Sequence, residues 1–219
     1  MKRHPVNSSL RLFNESTFEG LQLMPKKGPF IEQYLTRLMR TIELALDEYP
    51  RVLAFRADLR LPDDVDLLSE SDSDAVISRF LESFKAKIRH NRANARKQNK
   101  YAHDSRVRYV WAREVGQRER PHYHLLILLN RDAFYTLGKL ESDADNMINR
   151  LQEAWASALG VSPDYARGLV HIPDNPVYRI GSGRQTDPLP ELFYRASYLC
   201  KAGTKSYGTG KWGFGASRG

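Results

Sequence analysis

The sequence predicts an α+β domain in which helices pack against an antiparallel sheet, and three observations predict it. Segments 107–115 and 121–130 are apolar or alternating at strand length and are separated by a short polar stretch, which reads as a central β-hairpin. Apolar residues recur at helical spacing within 31–46, 76–88 and 147–155, so helices are interspersed with strands. A chain of 219 residues is long enough for one well-buried core.

The elements follow in order, with 1–50 read as an N-terminal helical extension, 51–208 as the main domain and 209–219 as a basic, glycine-rich tail. Gly28-Pro29 opens an amphipathic helix through Ile31, Leu35, Leu38, Ile42 and Leu46 that stops before Pro50. Residues 52–60 form a strand. An acidic, serine-rich connector from Pro62 to Asp74 leads into a long helix with Val76, Ile77, Phe80, Leu81, Phe84 and Ile88 on one face. After the hairpin, a helix runs from about Ser142 to Leu159, stopped by Gly160, with Met147, Ile148, Leu151 and Trp155 at core spacing. Short strands are expected within 168–173 and 177–180. A loop from Gly181 to Pro190 then delivers a short helix with Glu191 in its first turn, Lys201 in its last and Gly203 just beyond. The stretch from Thr204 onward is expected to be flexible or to touch DNA.

The hairpin carries the first chemistry. On a strand, side chains alternate, so His122 and His124 share one face while Tyr123 points to the other. Two histidines so spaced are more often hydrogen-bonded groups at a strand end than ligands, so their company decides. A turn centred near Arg118 puts Glu114 opposite His122 on the same face, with Cβ atoms about 5 Å apart. Two imidazoles and a carboxylate can hold a divalent cation and leave positions open for a substrate oxygen. One extra residue in the loop would turn Glu114 away.

The second chemistry lies in the short C-terminal helix. Tyr194, Tyr198 and Lys201 fall at i, i+4 and i+7, one stripe down one face. Tyrosines at that spacing are commonly packing residues. Beside a lysine, two phenols can also be nucleophiles facing a phosphate.

A His-hydrophobe-His strand, a preceding acidic residue and a later Tyr-x-x-x-Tyr-x-x-Lys helix resemble the HUH endonucleases, and the two tyrosines resemble rolling-circle replication initiators. Trp111-x-Arg113-Glu114, Pro121-His122-Tyr123-His124-Leu125 and Leu129-Asn130 more closely resemble the replication proteins of filamentous phages, inovirus gene II-type, and the related YagK/YfjJ-type prophage proteins. The resemblance spans roughly residues 51–208. It implies an HUH/RRM-like fold with about five antiparallel strands and a cation, Mg2+ or Mn2+, held by His122, His124 and Glu114. It also implies nicking and joining of single-stranded DNA at a replication origin through a 5′-phosphotyrosine on Tyr194 or Tyr198, assisted by Lys201. Tyr123 departs from the aliphatic residue usual between the histidines. Strand 52–60 lacks the threonines of the family's first motif, so it is given a place in the sheet but no catalytic role. A transposase or relaxase of the same superfamily and a non-catalytic DNA-binding prophage protein remain open alternatives.

Charge agrees with a polyanionic partner. There are 34 Lys and Arg against 26 Asp and Glu, a net charge of +8, and no acid lies between Lys85 and Lys100. Lys85, Lys87, Arg89, Arg92, Arg96 and Lys97 are therefore expected to contact DNA phosphates. No apolar run reaches the roughly 20 residues needed to span a bilayer, and the N-terminus leads into no signal-peptide core, so a cytoplasmic, membrane-free protein is expected. The single cysteine, Cys200, excludes an internal disulfide and reads as helix packing. Neither Gly181-Ser182-Gly183-Arg184 nor Gly208-Thr209-Gly210-Lys211 has phosphate-loop spacing, so no nucleotide cofactor is expected. Unwinding and extension would then fall to a host helicase and polymerase.

Overall fold

The computed structural model describes residues 2–62, 73–115, 121–139, 145–181, 187–203, 205 and 212–219. In chain order its strands are β1 (Leu12–Phe13), β2 (Thr17–Phe18), β3 (Leu21–Gln22), β4 (Phe30–Ile31), β5 (Val52–Arg60), β6 (Arg108–Val115), β7 (Pro121–Asn130), β8 (Val170–His171), β9 (Val177–Ile180) and β10 (Phe214–Ala216). The helices are α1 (Glu32–Glu48), α2 (Ser73–Gln98), α3 (Met147–Leu159), α4 (Pro163–Ala166) and α5 (Leu189–Ala196), the last continued by a 3-10 turn at Ser197–Cys200. The expected α+β class is observed. Six strands form one antiparallel sheet in the order β10-β6-β7-β5-β8, with β9 also on β5.

Alternation along the central strands builds two cores. Odd-numbered residues Leu53, Phe55, Leu59, Tyr123, Leu125 and Ile127 bury against α2 and α3. Even-numbered residues Val52, Ala54, Val110, Ala112, Leu126 and Leu128 bury against α1 and α5. With both faces covered, β7 has to be apolar almost throughout, as its sequence is. The odd face stays apolar along β5 and β7, with Arg113 of β6 the charged residue beside Tyr123. On the even face, the same three strands change to Arg56 and Asp58, Glu114, and His124 and His122.

Several expected boundaries shift for local reasons. The first helix starts at Glu32, because the Phe30–Ile31 backbone pairs with Leu12–Phe13. Its buried residues Leu35, Leu38, Met39 and Ile42 share the even-face core, so this helix is part of the sheet's packing and the residues before it are short strands and turns. The third helix begins at Met147, where the Asn146 side chain accepts from Asn149 N at 2.9 Å and the Asn146 backbone is extended. Gly160, at φ 73°, ends it as expected. Within the expected glycine-rich tail, Phe214–Ala216 is an edge strand on β6, anchored by Phe214 stacking on Tyr34 at 4.2 Å. Residues 63–72 of the expected connector, the hairpin loop at 116–120, the expected helix start at 140–144, residues 182–186 of the loop before the tyrosine helix, and 204 and 206–211 lie outside the described residues. Among the described residues, no helix is long and apolar enough to cross a membrane.

Candidate functional site

Where the even face turns polar, register alone brings the predicted ligands together. Glu114 pairs with His122 across the hairpin, as expected, and His124 sits between Ala112 on β6 and Asp58 on β5. One ligand atom from each of Glu114, His122 and His124 lies within 4.8 Å of the others. Two buried atoms here, His124 Nε2 and Glu114 Oε1, have no hydrogen-bond partner, and two imidazoles with a carboxylate suit a divalent cation.

Asp58 supplies what sequence reading missed. Its Oδ1 lies 2.6 Å from His124 Nδ1, an arrangement in which Nδ1–H donates to the carboxylate and Nε2 is left to face the cluster. Asp58 Oδ2 is 3.6 Å from His171 Nδ1, and Arg56 lies 3.6 Å from Oδ1. Burial opposes its ionisation, but the hydrogen bond and charge of His124, with Arg56 and His171, hold the Asp58 carboxyl below its ordinary range. Burial likewise favours neutral His124, yet the hydrogen bond to Asp58 and the Glu114 carboxylate 3.5 Å from Nε2 raise its pKa overall. A charged residue facing inward from an otherwise buried strand was the available signal.

Glu114 is 3% exposed and stays ionised. Burial alone would raise its pKa; His124 Nε2 at 3.5 Å, the Lys201 ammonium and nearby Lys205 bring it down to about 2. Lys201 Nζ lies 2.8 Å from Glu114 Oε2. Lys205 Nζ, buried and without a hydrogen-bond partner, lies 4.0 Å from Glu114 Oε1. Burial lowers the Lys205 pKa to about 8 against the pull of Glu114. Nothing in the local pattern singled Lys205 out, since it follows the helix in a stretch read as tail.

The tyrosine stripe is split. The α-helix ends at Ala196 and tightens to 3-10 geometry, which rotates Tyr198 relative to Tyr194. Lys201 is not in the last turn of that helix. Its backbone is extended and bridges Phe30, while Ala202 N donates to Pro29 O at 2.8 Å, and this anchoring aims Lys201 at the cluster. The Tyr198 hydroxyl donates to Glu114 Oε2 at 3.3 Å and accepts from Lys201 Nζ, and its ring stands edge-on to His124 at 5.2 Å. Lys27 and Arg56 also lie over the Tyr198 ring, at 5.8 and 5.7 Å. Tyr194 instead lines a depression with Gly20, Leu21, Gln22, Pro190 and Glu191. Cys200 is fully buried in the even-face core, where burial pushes its thiol pKa up.

The basic helix is not beside this cluster. The apolar face of α2 covers the odd side of the sheet, and the cluster stands on the even side. Folding also supplies acids that the local sequence lacks. Lys87 pairs with Glu153 at 2.6 Å and Arg96 with Asp104 at 3.1 Å, while Lys85 pairs with Glu82, one turn back in the same helix, at 2.9 Å. Arg92 bonds Asn91 and stacks over Phe134 at 4.4 Å. Among the described residues, Arg89 and Lys97 are exposed and in no ion pair.

A family model described as the YagK/YfjJ C-terminal domain matches residues 13–217. The chain is 34% identical over 203 residues to the uncharacterized protein YfjJ of Escherichia coli (strain K12), covering 88% of this chain and 97% of that protein. It is 33% identical over 199 residues to the uncharacterized protein YagK of the same strain, covering 87% and 95%. No solved structure matches.

Proposed function

The chain belongs to the YagK/YfjJ C-terminal domain family, and from its site we propose a metal-dependent enzyme of HUH type that nicks and joins single-stranded DNA at a replication origin. The observation that carries this reading is the placement of one phenol, Tyr198, against both a candidate cation-ligand set and a lysine. Glu114, His122 and His124 would hold Mg2+ or Mn2+, which when bound would withdraw charge from a scissile phosphate. Asp58 would keep His124 in the tautomer that offers Nε2.

Tyr198 is the nucleophile in this scheme. Its oxygen attacks the phosphorus, the bond to the departing 3′-oxygen breaks, and a 5′-phosphotyrosine and a free 3′-hydroxyl result. A free phenol has a pKa near 10. The Lys201 ammonium already donates to the Tyr198 oxygen, so it would stabilise the phenolate once the phenol proton is lost to solvent, and the departing 3′-oxygen would take up a proton from solvent. Exchange of one phosphoester for another needs no nucleotide. A host helicase would unwind the duplex and a host polymerase would extend the 3′-end. Tyr194, facing the Gly20–Gln22 depression, would serve only as a second acceptor after rearrangement.

One contact favours a second reading. Lys201 and Lys205 already balance the charge of Glu114, as they would in a purely structural polar network of a DNA-binding protein. Incubation with labelled single-stranded origin DNA and Mn2+, followed by denaturing electrophoresis, separates the two. A covalent adduct is expected, retained in Tyr194→Phe and lost in Tyr198→Phe and His122→Ala. Absence of an adduct across a range of phage and plasmid origins overturns the enzymatic reading.

A further inference from the structure

A groove of about 810 Å3 runs along the outer edge of the sheet, over β10 and between α1 and α2. We propose that it binds single-stranded DNA continuing from the Tyr198 site, an inference that rests on that site acting on such DNA. Three observations point to this occupant.

The groove is cationic beyond what its own acids neutralise. Arg37 from α1, Arg89 from α2 and Arg218 line it, and among the described residues none of the three is in an ion pair. The acid lining it, Asp104, is held by Arg96 at 3.1 Å, and Arg106 is held by Glu48 at 3.4 Å. A row of uncompensated guanidinium groups drawn from separate elements suits a chain of phosphates.

The groove also presents aromatic surface. Trp212 is 68% exposed, an unusual exposure for the largest apolar side chain, and Tyr109 is half-buried with Lys85 Nζ 5.3 Å over its ring. Aromatic faces between cations accept unpaired bases, whose faces are hidden in a duplex. An acidic peptide would use the arginines but gain little from the indole.

Finally, the groove adjoins the strand that carries Glu114. Arg113 N donates to Gly213 O at 3.0 Å, so Trp212 and Gly213 flank the residue next to Glu114 on β6. A Cβ on Gly213 would stand 3.7 Å from Lys205 Cδ, and Lys205 Nζ is 4.0 Å from Glu114 Oε1. The buried Lys205 side chain thus lies between Glu114 and the Gly213 end of the groove.

The test is equilibrium binding of fluorescein-labelled oligo(dT) by anisotropy, in full-length Tyr198→Phe protein so that no adduct forms. Trp212→Ala is expected to weaken binding about tenfold, the loss of one stacked base. Arg89→Ala is expected to lower the slope of log affinity against log salt by about 0.7, the loss of one phosphate contact to a single strand. Both side chains are exposed, so circular dichroism should report an unchanged fold. Affinity and salt slope unaltered in both variants would overturn the proposal, as would competition by duplex DNA or polyglutamate equal to that by oligo(dT). Wild-type adduct formation is scored separately, so the groove and the nicking activity can fail independently.

Discussion

Asp58 acts through His124. By holding Nδ1 at 2.6 Å it fixes both the ring orientation and the nitrogen presented to the Glu114 side. The pairing is a direct cross-strand one, Asp58 on β5 opposite His124 on β7, so neither side chain needs an unusual conformation to reach the other. Asp58→Asn keeps the shape and removes the charge. It is expected to weaken Mn2+ binding about 10- to 100-fold by isothermal titration calorimetry, while the fold persists. Unchanged affinity would show that Asp58 does not orient a ligand. Tyr198 is likewise defined by neighbours: three cations and a carboxylate meet at one phenol, whereas Tyr194, identical in type and one turn earlier, faces another part of the surface.

The hairpin register is the decisive element. Glu114 opposite His122 follows from an antiparallel pairing without a bulge, and a slip of one residue would put Glu114 and the two histidines on opposite faces. The adjoining edge strand β10 depends on one glycine. At Gly215, opposite Trp111, a Cβ would stand 2.5 Å from the indole atoms Cε2 and Nε1, closer than packed atoms can approach. Gly215→Ala is expected to destabilise the protein by about 1–3 kcal/mol in urea denaturation and to speed amide exchange at the β6 edge. Wild-type exchange and stability in this variant would mean that β10 does not pack as described. The same strand forms the floor of the edge groove, so a lifted β10 should also weaken oligo(dT) binding.

Across the whole molecule, one sheet separates two features of the sequence. The long basic helix lies over the odd face and the ligand cluster over the even face, with a core between the sheet and the helices on each side. DNA reaching both must pass around an edge. If the cluster holds a cation only when folded, binding adds to global stability by mass action, about 2.7 kcal/mol at a hundredfold excess over Kd. For a chain of this size that is a rise in Tm of several degrees, measurable by calorimetry with and without Mn2+. The rise should vanish in His122→Ala. An equal rise in that variant would place the stabilising cation elsewhere.

The sequence by itself determined the α+β class, the central hairpin and its register, the apolar faces of the helices and the trio Glu114, His122 and His124. These depend on periods of 2 and 3.6 and on pairing between adjacent segments, which are properties of local chain geometry. Only the tertiary structure decided that Asp58, from a strand with no recognisable motif, backs His124, and that Lys205 is buried beside Glu114. It also decided that Tyr198 rather than Tyr194 meets the cluster, and that the acid-free basic run finds Glu153 and Asp104 as partners. All but the Arg96–Asp104 pair join residues far apart in the chain. Such contacts are set by which layers close over which face of the sheet, and no local periodicity encodes that choice.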